Sequence, residues 1–351
     1  MDLSKIPVVP PPPGVTSNFE NPYSMASTLL VINVVFSAIA LICSALRIYT
    51  RAVVIRKVDW DDGATILGLV FSITSVVLSQ MMTRHGIGRH VWDVPLSMIR
   101  TGMKYFVFAT ATYCVAIGFI KCTLLLLYWR NFSTAALYFK VMWWATCVLS
   151  IGYSVAGVFV SLFGCSPMAY AWDPTIPGGR CIDKSTYYVV HGWLNAVTDL
   201  AILVIPLPVV WKLQLTVYQK ITLTCLFVLG SCTWVISIYR AISIIQTGEA
   251  ANDFTFGIGY SAIWSNIEML CALICACSIT YRPLIKRYFV RFSSLSSSRH
   301  TEQGPTSNIT KQEMNGSIAL SVMRKERVRE IDAESQEQII SGDGSDREAV
   351  R

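Results

Sequence analysis

Long apolar runs separated by short polar connections are the dominant pattern along the chain. A helix needs about 20 mostly apolar residues to cross a hydrocarbon core of ~30 Å, and seven runs reach that length. Stretches such as Leu124–Leu127 lack the polar stripe that a helix of a soluble bundle carries at helical period. The pattern therefore predicts an all-α, polytopic bundle of seven transmembrane helices. The predicted spans are Met25–Leu46, Gly63–Met82, Tyr105–Tyr128, Val141–Phe163, Tyr187–Trp211, Ile221–Ile245 and Phe256–Tyr281.

Composition supports a membrane protein, and the two ends of the chain differ in character from the apolar spans between them. Hydrophobic residues make up 53% and charged residues 15% of the 351 residues, whereas soluble domains carry about 25% charged residues. Residues 1–24 include the run Pro10–Pro13 and have no signal-peptide pattern, so we expect an extracellular, proline-rich segment. Residues 25–292 form the predicted seven-helix domain. Residues 293–351 are serine-rich and then mixed in charge, which is typical of a disordered tail.

The distribution of basic residues predicts the orientation. Lys and Arg are more numerous in the connections after the first, third and fifth spans, and just after the last span, than in the other connections. Because basic residues in short loops favour the cytoplasmic side, we expect the N-terminus outside and the tail in the cytoplasm.

Two of the eleven cysteines differ in position from the rest. Most cysteines lie in or beside the apolar spans, but Cys165 and Cys181 flank the fourth connection. The predicted orientation places that connection outside, where disulfides persist. We therefore predict a Cys165–Cys181 bridge; the alternative is a pair of free thiols.

Four ionisable residues fall within the predicted spans: Lys121, Asp199, Arg240 and Glu268. Each costs about 2.5–3.5 kcal/mol at the centre of a bilayer on insertion scales, so each is a candidate for function. Two are cationic and two are anionic, which predicts internal pairing. Three uses remain open: a polar core that binds a ligand or switches, ion pairs that fix helix register, and a proton relay.

A second group of charges lies at the predicted cytoplasmic face. Arg130 ends the third span, and the first connection contains Arg47, Arg51, Asp61 and Asp62. We consider these five residues candidates for coupling to a cytoplasmic partner. The alternatives are that the arginines are inside-positive anchors, and that the opposite charges pair across the first connection and hold it compact.

Several local motifs together resemble the fungal rhodopsin domain family of seven-helix integral membrane proteins, which includes receptor-like proteins linked to pathogenicity. The resemblance covers roughly residues 25–292. The motifs that carry it are Arg47–Arg51, Asp59–Asp62, Gly86–Asp93, Phe119–Thr123, Tyr128–Arg130, Cys165–Pro167, Ala171–Asp173, Cys181, Asn195–Asp199, Pro206–Pro208 and Ile263–Glu268.

The family name suggests retinal, but the residues argue against it. Retinal binding requires a lysine in the seventh helix for the Schiff base, and Phe256–Tyr281 contains none. His85 and His90 alone do not supply a converging set of metal ligands. We expect no cofactor and no metal site.

The function that these observations favour is a non-enzymatic, receptor-like sensor of an external or lipophilic cue. Its expected partners are the lipid bilayer, an unknown small-molecule ligand and, as a candidate, a heterotrimeric G protein, with no nucleic acid. The plasma membrane is the default location. The alternative is a small-molecule or ion transporter that uses the intramembrane charges.

Overall fold

The computed structural model describes residues 7–132, 137–208, 217–249 and 253–281. Within these residues the chain forms seven helices and one small antiparallel hairpin, which confirms the predicted all-α membrane bundle. The predicted tail, residues 293–351, lies outside the described residues. The helices are α1 Ala26–Tyr49, α2 Trp60–Arg84, α3 Leu96–Phe132, α4 Leu137–Phe163, α5 Lys184–Val204, α6 Val217–Glu249 and α7 Phe254–Ser278.

The polarity of the bundle is inverted relative to a soluble protein. The buried face of α1 carries Asn33, Ser44 and Arg47, whereas Val31 and Ile42 are exposed. Helix α4 repeats this arrangement, with serine and threonine hydroxyls inside and valine, isoleucine and phenylalanine side chains outside. Apolar side chains thus cover the outside, while the interior mixes apolar clusters with many polar groups, which is the distribution expected where lipid replaces water as the solvent.

Five of the described helices are long and apolar enough to cross a membrane: α1 with its extension to Ile55, α2, α3, α4 and α7. Helix α5 has His191, Asn195 and Asp199 in its middle, and α6 includes the apolar stretch Phe227–Ser243. Both helices carry charged side chains that pair with residues of other helices inside the bundle.

Two helix ends differ from the apolar runs that predicted them. Helix α3 begins at Leu96, earlier than the predicted span, and its first turns include Arg100 and Lys104. Helix α5 ends at Val204, ahead of Pro206. The missing backbone donor of proline accounts for this interruption of the helix.

The N-terminal segment packs on the end of the bundle that we call the outer end. The Val8 N–H donates to the Val94 carbonyl at 3.2 Å, and the Met25 N–H donates to the Gly88 carbonyl at 3.0 Å. Gly88 in turn lies against Gly259 of α7, where a Cβ would come within 2.5 Å of the Gly88 Cα. Glycine at both positions lets the connection between α2 and α3 rest directly on α7.

The connection between α4 and α5 is held by the predicted disulfide. Strands β1 (Cys165–Ser166) and β2 (Arg180–Cys181) pair antiparallel, and Cys165 is bonded to Cys181 across them. The predicted bridge is therefore confirmed.

Contacts with α3 fix the position of the segment between Cys165 and Cys181, which we call the disulfide loop. Asp173 lies 3.0 Å from Arg100, and the Lys104 ammonium is 5.6 Å from the centre of the Trp172 ring. The outer extension of α3 thus supports the loop that covers it.

Candidate functional site

The charges at the opposite end of the bundle, the inner end, form a buried cluster. Arg47 Nη2 is 2.7 Å from Asp61 and its Nε is 3.2 Å from Asp62. Arg51 contacts the same two carboxylates, at 2.9 Å from Asp61 and 3.5 Å from Asp62. Arg47 also donates to the Ala276 carbonyl at 2.8 Å. One fully buried arginine therefore joins α1, α2 and α7.

Arg130 extends this inner cluster to α3. Its Nη1 is 2.5 Å from Asp59 and 3.0 Å from Asp61. Asp59 is also the N-cap of α2 and forms a capping box with Asp62. The structure thus brings together all five residues predicted at the cytoplasmic face, with Asp61 shared by three arginines.

A second network occupies the middle of the bundle. Lys121 of α3, 2% exposed, places its ammonium 2.8 Å from Asp199 of α5. The same ammonium donates to the Asn195 carbonyl at 3.0 Å and to the Thr198 hydroxyl at 2.6 Å. Three partners satisfy the three donors of the lysine, as a buried ammonium requires.

Glu268 of α7 is the most heavily bonded residue of this network. It accepts hydrogen bonds from Arg240 Nε at 2.5 Å, from the Ser237 hydroxyl at 2.6 Å, from the Tyr113 hydroxyl at 3.3 Å and from the Asn195 amide. These donors lie on α3, α5 and α6, so a single carboxylate links four helices.

The two intramembrane ion pairs are joined by Ser237. Its hydroxyl lies 2.5 Å from Asp199 and 2.6 Å from Glu268. Because a hydroxyl has one proton, it donates to one carboxylate at a time. The four predicted intramembrane charges therefore form one connected network rather than two separate pairs.

A cavity of about 410 Å³ opens between this network and the outer end. Its walls are mostly apolar and include Met82, Met103, Phe106, Phe254 and Ile258. The volume is within the range of about 300–1,000 Å³ that is typical of small-molecule sites.

Polar groups line part of the same cavity. Arg240 and Tyr113 line it from the mid-bundle network, and Lys184, the first residue of α5, lines it from the outer end. Arg240 thus belongs both to the cavity wall and to the ion pair with Glu268.

Sequence reasoning missed the neutral members of the site. Ser237 has no marker in the sequence, because single polar residues are common in membrane helices. Asn195 was noted only as the first residue of the family motif Asn195–Asp199. His191 and Cys114 both line the cavity, with Nε2 and Sγ 3.8 Å apart. Among the described ion pairs and hydrogen bonds none joins a carboxylate to His191, so this contact lacks the orienting group of a catalytic triad.

Comparison with known proteins gives three informative relatives. The polyenoic acids biosynthesis gene cluster protein Ba17b of Metarhizium anisopliae is 28% identical over 287 residues, covering 78% of this chain and 77% of that protein. Receptor GIN3 of Arthrobotrys oligospora is 28% identical over 280 residues, covering 78% and 66%. A SAT4 family membrane protein of Emericella nidulans is 24% identical over 253 residues, covering 71% and 60%.

No solved structure matches the chain. The profile of the fungal rhodopsin domain matches residues 46–287, which include α2 to α7 and the last turn of α1. The chain therefore belongs to the fungal rhodopsin domain family of membrane proteins.

Proposed function

We propose that this protein is a receptor-like sensor that binds a lipophilic small molecule in the outer cavity and reports it at the inner end. One observation carries the proposal: Arg240 lines the cavity and is also paired with Glu268, the residue that links α3, α5, α6 and α7. A group that binds Arg240 from the cavity therefore acts on the residue that is paired with Glu268, and through Glu268 on the contacts between these helices.

The route from cavity to inner end runs along α3. Helix α3 contributes Tyr113 and Lys121 to the network and ends with Arg130 in the inner cluster. Packed helices with alternative ion-pair partners switch between discrete arrangements rather than deforming continuously. A shift of α3 that breaks the Arg130 contacts would free Arg130 at the inner face, while Asp61 keeps its contacts with Arg47 and Arg51.

The names of two relatives support a sensor of small molecules. One is named as a receptor, and another is named for a gene cluster that makes polyenoic acids. The proposed role is non-enzymatic, and the proposed location is the plasma membrane. A heterotrimeric G protein is the proposed cytoplasmic partner.

Resonance energy transfer between the tail and co-expressed fungal Gα subunits tests the coupling. We expect transfer with at least one Gα, and its loss in Arg130→Ala, because that variant removes the only α3 contact to Asp59 among the described ion pairs. Lys140→Ala is the matched control, since Lys140 is an exposed cation near the same connection with no described ion pair. Equal losses in both variants would indicate a general charge effect, and no transfer with any Gα in well-expressed protein would reject the coupling.

A transporter is the second candidate, favoured by the hydroxyl of Ser237 that bridges Asp199 and Glu268. Such a chain of ionisable groups is typical of proton-coupled transport. Proton uptake by reconstituted vesicles distinguishes this candidate. Uptake that is present in the wild type and absent in Asp199→Asn would favour transport over sensing.

A further inference from the structure

The outer cavity has an unbalanced charge. Its described lining includes two cations, Arg240 and Lys184, and no Asp or Glu. Glu268 balances Arg240 from the neighbouring network, and the Lys121–Asp199 pair is balanced in itself. No described ion pair involves Lys184. One negative charge inside the cavity would compensate the positive charge of Lys184.

Arg240 also has unused hydrogen-bonding capacity. A guanidinium has five N–H donors; its Nε donates to Glu268, and its Nη2 is buried without a partner among the described residues. Leaving a buried donor unsatisfied costs about 1–3 kcal/mol, and more when the group is charged. An acceptor supplied from the cavity would remove that cost.

Two hydroxyl groups in the cavity wall also lack a hydrogen-bond partner among the described residues. Tyr187 Oη and Ser161 Oγ line the cavity and are buried without a partner among the described residues. The rest of the wall combines methionine, phenylalanine and isoleucine side chains with small residues and further hydroxyl groups. The site therefore offers several hydrogen-bond donors and positive charge within a mostly apolar chamber.

We propose that the outer cavity binds an amphipathic carboxylate, with its apolar body against Met103, Phe106 and Ile258 and its carboxylate on Arg240. Charge-assisted bonds from a guanidinium to a carboxylate are about twice as strong as bonds between neutral groups. A neutral carbonyl would satisfy the Nη2 donor but leave the charge of Lys184 uncompensated. The inference rests on the proposed function, because it names the class of molecule that the sensor's cavity takes.

Photo-crosslinking tests this ligand class. The probes are a fatty acid with a diazirine in its chain and the methyl ester of the same acid, added to the full-length protein in phosphatidylcholine nanodiscs. Because phosphatidylcholine is zwitterionic, this bilayer contains no lipid of net negative charge that would compete with the probe for Arg240. Mass spectrometry separates labels on the cavity walls of α3 and α7 from labels on lipid-facing side chains such as Val148 of α4, which is 69% exposed.

We expect the acid to label the cavity walls on the order of ten times more than the ester, since bonds to charged groups are worth about 1.5–3 kcal/mol. The double variant Arg240→Gln/Glu268→Gln removes both charges of the pair together, so folding does not require burial of a lone charge. It should lower this preference well below that of the wild type, with Lys184 left as the remaining cation of the cavity. Lys104→Gln, which removes a nearby cation outside the cavity, should keep the preference.

The outcomes distinguish a failure of the proposed ligand class from a failure of the proposed sensor function. Ala262→Trp fills the cavity and should block labelling of its walls by both probes. Equal labelling by acid and ester, both blocked by Ala262→Trp, would overturn the carboxylate and leave a cavity that binds neutral lipophiles. Absence of any label in the cavity would also overturn the inference, and energy transfer to Gα would then decide the proposed function independently.

Discussion

Glu268 shows how much of the bundle depends on a single side chain. It is 1% exposed and accepts hydrogen bonds from donors on three other helices. Replacing it with glutamine keeps the size of the side chain but leaves Arg240 as a buried charge without its counterion. Removal of one partner of a buried ion pair costs about 3–5 kcal/mol. We therefore expect Glu268→Gln to lower the thermal unfolding midpoint of the protein in nanodiscs markedly.

Two further variants identify the cause of that loss. Arg240→Gln/Glu268→Gln should recover much of the lost stability, because no unpaired charge remains. Glu20→Gln removes an exposed carboxylate and should leave the midpoint unchanged. If the double variant were as unstable as Glu268→Gln, hydrogen bonding by Glu268 rather than charge pairing would be the dominant contribution.

Candidate site residues could be identified from the sequence where a charged side chain falls within a stretch that lipid surrounds. Lys121, Asp199, Arg240 and Glu268 were found because each charge interrupts an apolar run. Their geometry was not: two cations and two anions predict internal pairing, but only the structure shows that Lys121 meets Asp199 and that Arg240 meets Glu268. Which faces of the helices meet depends on packing, and packing decides that Ser237 bridges the two pairs.

At the scale of elements, the apolar runs predicted the helices well and their ends poorly. A run of apolar residues marks the part of a helix that lies in lipid, but a helix continues into water wherever its neighbours support it. Helix α3 continues at its outer end because Arg100 and Lys104 contact the disulfide loop. The apolar pattern of α3 does not show these contacts, so it could not predict the early start of the helix.

The disulfide loop provides the prediction at this scale. The bond closes a segment with a sequence separation of 16 residues, and a crosslink of that length stabilises by about 3 kcal/mol in the chain-entropy account. We expect Cys165→Ser/Cys181→Ser to lower the thermal unfolding midpoint. The double variant should also loosen the Asp173–Arg100 contact, measured as faster hydrogen exchange in the loop.

Cys232→Ser is the matched control, because Cys232 is an exposed free cysteine of α6. Treatment of the wild type with a reductant should reproduce the effect of the double variant. An unchanged midpoint in both cases would mean that the contacts of Trp172 and Asp173, rather than the crosslink, hold the loop.

At the scale of the whole molecule, the two ends of the bundle are chemically different. The end with the disulfide also holds the N-terminal segment, and the opposite end holds the cluster of Arg47, Arg51 and Arg130. Disulfides persist in oxidising compartments, and arginine-rich connections favour the cytoplasm. Both arguments assign the same orientation, although they rest on different residues.

Cysteine labelling in intact cells tests this orientation directly. Glu20→Cys and Lys140→Cys place a thiol on exposed positions at the outer and inner ends, respectively, in a Cys232→Ser background. A membrane-impermeant maleimide should label Glu20→Cys in intact cells, and should label Lys140→Cys only after permeabilisation. The reverse pattern would place the disulfide in the cytoplasm and the arginine cluster outside. It would also remove the basis for coupling Arg130 to a G protein, because the candidate contact surface would then face away from any Gα subunit.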